Sequence, residues 1–152
     1  VIDTSKLKLP ELRAMLIAAW GLRADTSLNV MVTSFSYRQG LPREADLVFD
    51  MRFLANPFYE PDLRELSGED APVAAYIERD PAFAPFFDRL GAMLRDLLPA
   101  YARAGKRYLT IAVGCTGGRH RSVHTAKKLA ETLENGPWRV ALRHRDIHLG
   151  HE

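Results

Sequence analysis

The stretch Tyr108-Leu109-Thr110-Ile111-Ala112-Val113 is an apolar run of strand length. It passes through Gly114-Cys115-Thr116-Gly117-Gly118-Arg119-His120-Arg121-Ser122 directly into a helical pattern. A strand that turns at once into a helix commits this part of the chain to an α/β unit, and its turn is a place where an anion can be held. Glycines let backbone N–H groups converge on one point, and the following helix offers unpaired N–H groups and the positive end of its dipole. Arg119, His120 and Arg121 add cationic donors. Glycines after a strand also occur in turns that bind nothing, and Ser122 is by itself a plain helix cap. Three long polar side chains in succession have no such structural use, because ordering each costs conformational entropy without a core contact.

Two phosphate motifs can be compared with this string. The chain contains no G-x-x-x-x-G-K-[ST] stretch, which disfavours nucleotide hydrolysis by these residues. Cys115, five residues and Arg121-Ser122 resemble the C-x5-R-[ST] loop of cysteine-dependent phosphatases. That resemblance implies Cys115 as nucleophile, Arg121 as the transition-state clamp and Ser122 as helper of the leaving group. Gly114 stands where those enzymes carry a histidine, and the Thr-Gly-Gly-Arg-His interior is not typical of them. A lone cysteine closing a buried strand is otherwise a small apolar filler. A phosphatase therefore remains the alternative to a binding site, in which Arg121 would lie outside the core and its removal would leave the fold intact.

Period and punctuation predict the remaining elements. Val1-Ile2-Asp3 reads as a strand end, Thr4 or Ser5 as a turn, and Pro10 as a helix start ahead of Leu12, Met15, Leu16 and Ala19. Asp25-Thr26-Ser27 breaks that pattern, and Leu28 to Tyr37 reads as the first strand of the main domain. Leu47 to Asp50 reads as a second, buried strand that delivers Asp50 and Arg52 to a loop. Those two residues are equally well explained by a ligand or by a mutual ion pair. Asn56 to Pro61 is irregular because of its prolines, and helices are expected over Ala71–Arg79 and from Pro81 to about Arg103. After the glycine turn, Val123, Ala126, Leu129, Ala130 and Leu133 form an inner helix face, with His124, Lys127 and Lys128 outward. Trp138 to Leu142 closes the pattern as a last strand. The fold class is α/β, with a mixed or parallel central sheet flanked by helices and a strand–loop–helix anion site.

With 152 residues, 47% of them apolar, the chain can bury one ordinary core. No secretory signal or membrane span is expected, and one cysteine excludes an internal disulfide and suits a cytoplasmic location. The net charge of +2 makes no case for nucleic acid. Residues 103 to 145 are nonetheless rich in cations, and Lys127, Lys128, Arg139, Arg143 and Arg145 are candidates for an RNA surface. The five histidines have no convincing ligand spacing, so no metal and no cofactor are expected.

A longer resemblance ranks these readings. Val1-Ile2-Asp3-Thr4-Ser5, Ser34 to Pro42, Ala45 to Pro57, Gly114 to Ser122 and Arg143-His144-Arg145 are similar in order and spacing to the RapZ family. The chain resembles the C-terminal domain of that family over residues 27–152, with residues 1–26 as the tail of a preceding P-loop domain or a linker helix. The resemblance implies a non-enzymatic regulatory adaptor that senses glucosamine-6-phosphate and presents small RNA to an endoribonuclease. It goes with a homo-oligomer and no membrane, and nucleotide hydrolysis would belong to the P-loop domain. By the same resemblance Thr116, Gly117, Gly118, His120, Arg121 and Ser122 hold the phosphate, and Arg38, Asp50, Arg52 and Asn56 form a second wall. Two departures stand out. Phe58 replaces a histidine common after Asn-Pro in relatives, which removes a polar contact. The end of the chain, Asp146 to Glu152, lacks the basic tail of RNA-binding relatives, so little RNA affinity is expected.

Overall fold

A computed structural model describes residues 8–20 and 28–149. The expected strand end at Val1–Asp3, the turn at Thr4 or Ser5 and the break at Asp25–Ser27 lie outside these residues. Helix α1, Leu9–Trp20, starts with Pro10 in its first turn, as the sequence predicts. The main domain follows as β1 (Asn29–Ser36), β2 (Leu47–Asp50), α2 (Ala71–Glu78), α3 (Phe83–Arg103), β3 (Tyr108–Cys115), α4 (Arg121–Leu133) and β4 (Arg139–His144). The sheet is wholly parallel in the order β2-β3-β1-β4, with Asn29 opposite Tyr108 on one side and opposite Arg139 on the other.

Alternation along the strands divides the two faces. Val30, Val32, Leu109, Ile111, Val113 and Cys115 share one face and form a single core with Val73, Ile77, Leu90, Leu94, Leu98, Ala126 and Leu129 from α2, α3 and α4. Connections that step across a parallel sheet in the same direction fall on the same face when crossovers are right-handed. The β2-to-β3 and β3-to-β4 connections both step one way and carry these helices. The β1-to-β2 connection steps the other way, and its residues cover the opposite face, where Tyr37 packs on buried Phe35 at 4.9 Å between ring centroids. Gly114 lies beneath that aromatic pair. A Cβ there would come within 2.4 Å of the Phe35 ring and 2.6 Å of Tyr37, so packing excludes a side chain at this position.

Two expectations are corrected. β2 is not a buried strand but an edge of the sheet, with alternate residues exposed, because β3 pairs it on one side only. His124 does not face outward: it is buried, with Nε2 2.9 Å from Glu78 Oε1 at the end of α2. Burial pushes the His124 pKa down, against the opposing pull of Glu78. The Glu78 carboxyl is held below its usual range by Lys128 first, and also by His124, with burial acting the other way.

Candidate functional site

Because β1 connects towards β2 while β3 connects towards β4, a crevice opens at the carboxyl ends of β1 and β3. Such a switch point is where open parallel sheets hold ligands. A cavity of about 150 Å³ lies there, lined by Arg38, Asn56, Phe58, Tyr59, Cys115, Thr116, Gly117, Arg119, His120 and Arg121. The turn that forms its floor is tied to β1. Ser36 Oγ donates to the Thr116 carbonyl at 2.7 Å, and Ser36 N–H donates to Asp146 Oδ2 at 2.8 Å. Gly118 lies against the same strand with φ +70°, and a Cβ would meet Ser36 N at 2.8 Å. Glycine thus permits both the backbone conformation and the close approach.

α4 begins at the cavity, with His120 as N-cap and Arg121 as its first residue. Ser122 is therefore inside the helix and not its cap, a correction to its plain structural role. Its hydroxyl is fully buried, 3.0 Å from Cys115 Sγ. The N–H groups of the first helical turn have no carbonyl one turn earlier to bond, and the helix dipole adds partial positive charge where His120 and Arg121 line the cavity.

The expectation that Arg119, His120 and Arg121 have no structural use is corrected: each holds backbone carbonyls of a distant segment, and they are spent unequally. Arg119 donates through Nε to the Leu66 carbonyl at 3.0 Å and through Nη2 to the Glu65 carbonyl. His120 Nε2 lies 3.2 Å from the carbonyls of Leu63 and Arg64, which requires that nitrogen to carry a proton. Arg121 is only 5% exposed, so the expectation that it sits outside the core is wrong. Its Nη1 donates to the carbonyls of Arg52 at 3.1 Å and Leu54 at 3.0 Å, which pins the turn after β2. Its Nε is buried without a partner, and among the described residues no carboxylate is within ion-pairing distance of this guanidinium. A buried guanidinium without a carboxylate partner beside a cavity is suited to an anion.

The fold brings Thr116, Gly117, His120, Arg121, Arg38 and Asn56 to one cavity, and Gly118 and Ser122 are not part of its lining. Asp50 and Arg52 lie outside the lining and pair with each other. Arg52 Nη2 is 2.7 Å from Asp50 Oδ2, and Nε reaches both carboxylate oxygens at 2.9 and 3.0 Å. The Arg52 hydrogen bonds hold the Asp50 carboxyl below its usual range, with burial opposing, and the Arg52 guanidinium stacks 3.9 Å from the Tyr37 ring centre. Sequence reasoning missed Tyr59, and counted Arg119 among the cationic donors of the turn but not among the phosphate ligands. The available signals were the Phe58-Tyr59 pair after Asn56-Pro57 and the position of Arg119 within the glycine turn.

The five candidate RNA-binding cations are not equivalent. Lys128 pairs with Glu78 at 2.8 Å, Arg143 lies 3.6 Å from Glu44, and Arg145 holds Asp146 at 2.8 Å while donating to the Gly40 carbonyl at 2.6 Å. Arg139 and Arg143 project from β4, an edge strand, whereas Lys127 and Lys128 belong to α4. Among the described residues no group of His, Cys, Asp or Glu forms a metal site, and no helix is long and apolar enough to cross a membrane.

Fold and site together define an open parallel α/β domain with a strand–turn–helix cavity at its switch point. The sequence profile of the RapZ C-terminal domain matches residues 28–148, and the chain belongs to that family. It is 56% identical over 151 residues to a nucleotide-binding protein of Rhodospirillum centenum, covering 99% of this chain and 46% of the relative. A nucleotide-binding protein of Rhodospirillum rubrum is 56% identical over 146 residues, covering 96% of this chain and 46% of that protein. One from Paramagnetospirillum magneticum is 54% identical over 147 residues, at 97% and 48% coverage. The chain thus spans about half the length of the curated relatives it matches.

Proposed function

We propose that this domain binds a phosphorylated sugar in the cavity between β1, β3 and α4, and serves as the sensing part of a regulatory adaptor. The observation that carries this reading is Arg121, a buried guanidinium with no carboxylate partner among the described residues, lining a cavity that also receives the N-terminus of α4. The phosphate sits against Thr116, Gly117, His120 and Arg121, and the sugar extends towards Arg38, Asn56 and Phe58. Membership in the RapZ family supports a regulatory role, and glucosamine-6-phosphate is the first ligand to test. The proposal extends to a homo-oligomer, a cytoplasmic site of action and presentation of a small RNA to an endoribonuclease, with the RNA held only weakly by the residues of this chain themselves. Titration calorimetry of the chain with glucosamine-6-phosphate and with glucosamine tests the sensing claim. Binding of the phosphorylated sugar alone supports it, and silence from both removes it.

A second reading rests on Cys115, which lines the same cavity within reach of the Ser122 hydroxyl. It makes the domain a cysteine-dependent phosphatase: the thiolate attacks phosphorus, the P–O ester bond breaks, the alcohol leaves after taking a proton from solvent, and water then hydrolyses the phosphocysteine to free phosphate and thiol. We expect no turnover of an aryl phosphate, and little loss of sugar-phosphate binding in Cys115→Ser. Steady hydrolysis that vanishes in that variant, with phosphate trapped on Cys115, reverses the ranking.

A further inference from the structure

The cavity has one wall unlike the rest. Seven of its ten lining residues are polar or glycine; the other three are the small, buried Cys115 and the adjacent rings of Phe58 and Tyr59, 5.8 Å apart in an edge-to-face pair. Phe58 lies in a short 3-10 turn, Pro57–Tyr59, and several contacts fix it there. Asn56 Oδ1 accepts from Phe58 N–H at 3.2 Å, Pro57 is buried, and Arg64 Nε donates to the Phe58 carbonyl at 2.9 Å. The Arg64 guanidinium also lies 4.9 Å from the Phe58 ring centre, which supports the ring as well as the backbone. The ring is therefore held in place before any ligand arrives. Preorganisation of this kind reduces the entropy cost of using it as a contact surface.

We propose that Phe58 is the specificity-determining residue of the site, and that it selects a phosphate ester whose remainder is a closed ring with an apolar face. This rests on the reading of the cavity as a sugar-phosphate site. A pyranose presents a flat array of C–H groups that a phenyl ring covers, whereas an open-chain polyol phosphate of equal charge presents hydroxyls in many conformations and must be ordered on binding. Phe58 offers no polar atom to a hydroxyl or an ammonium, so it reads shape and apolar area. The donors at Arg121 and the α4 N-terminus read the phosphate.

Calorimetry on the chain with glucose-6-phosphate, its open-chain reduction product glucitol-6-phosphate, inorganic phosphate and glucose separates the two claims. The ring ester should bind roughly tenfold more tightly than the open-chain ester. That margin should fall to about twofold in Phe58→Leu and Phe58→Ala and persist in Phe58→Tyr, while affinity for inorganic phosphate stays unchanged in all three. Equal binding of the two esters to the native chain, or a margin that survives Phe58→Leu and Phe58→Ala, overturns the role of Phe58 and leaves the phosphate site standing. Glucose binding as well as its phosphate, or no binding by either ester, overturns both.

Discussion

Replacing Arg121 with alanine should do two separable things. In the free protein it removes both Nη1 donations, leaving the carbonyls of Arg52 and Leu54 without their partner. A hydrogen bond from a charged donor contributes about 1.5–3 kcal/mol, and a buried orphaned acceptor costs about 1–3 kcal/mol. The Arg52 site is only part-buried, and removal of a guanidinium whose Nε is unpartnered returns some desolvation energy. The net loss should be about 2–4 kcal/mol, or roughly 5–15 °C in unfolding midpoint for a domain of this size. In the complex the same substitution removes a charged contact to phosphate, and affinity should fall by roughly one to two decades. Urea and thermal unfolding, each with and without saturating sugar phosphate, read both effects, and Arg121→Lys should recover part of the binding but little of the stability. An unfolding midpoint unchanged from the native chain refutes the tie to the β2 turn. A ligand-induced stabilisation equal to that of the native chain refutes Arg121 as a phosphate contact.

Gly118→Ala should cost roughly 2–4 kcal/mol, since it combines an unfavourable φ with a clash on Ser36. Gly117→Ala meets no atom within 4 Å and should leave stability within about 0.5 kcal/mol while weakening sugar-phosphate binding; the opposite order in unfolding and calorimetry contradicts the placement of the two glycines. Burial lowers the pKa of both His124 and His144, with Glu78 and Glu69 respectively pulling the other way. The unfolded chain therefore binds more protons below about pH 6.5, and stability fully present above that value should fall as the pH drops below it. Urea unfolding over that range should show this slope reduced in a His124→Gln, His144→Gln double variant, and an unchanged slope removes both histidines from the account. RNA retardation at physiological salt should show no complex tighter than about 1 μM, because three of the five candidate cations are near or paired with acids. A tight, salt-tolerant complex contradicts this.

The strand–turn–helix at residues 108–133 was legible because a strand and an amphipathic helix have different periods and the glycines mark where one becomes the other. Parallel pairing was only one of two expectations, since periodicity within a strand does not state which neighbour it meets. The edge position of β2 has the same cause: Leu47-Val48-Phe49 reads as apolar whether one side or both are paired. His124 was misplaced because helical spacing distinguishes core from surface but cannot reveal that α2 covers the polar side of α4. At the site, the glycine turn showed where an anion could be held. The sequence carried no sign that Arg119 holds the carbonyls of Leu66 and Glu65 or that Arg121 holds those of Arg52 and Leu54, because these contacts join segments more than fifty residues apart. Asp50 and Arg52, by contrast, form the local ion pair that their spacing offered, outside the cavity lining.

The central claim is that the cavity at the end of β3 recognises the phosphate of a small sugar. Titration calorimetry of glucosamine-6-phosphate into the chain, repeated with glucosamine and in competition with inorganic phosphate, tests it most directly. The account predicts saturable heat from the ester, none from the free sugar, and displacement by inorganic phosphate; equal heat from ester and free sugar, or none from either, contradicts it.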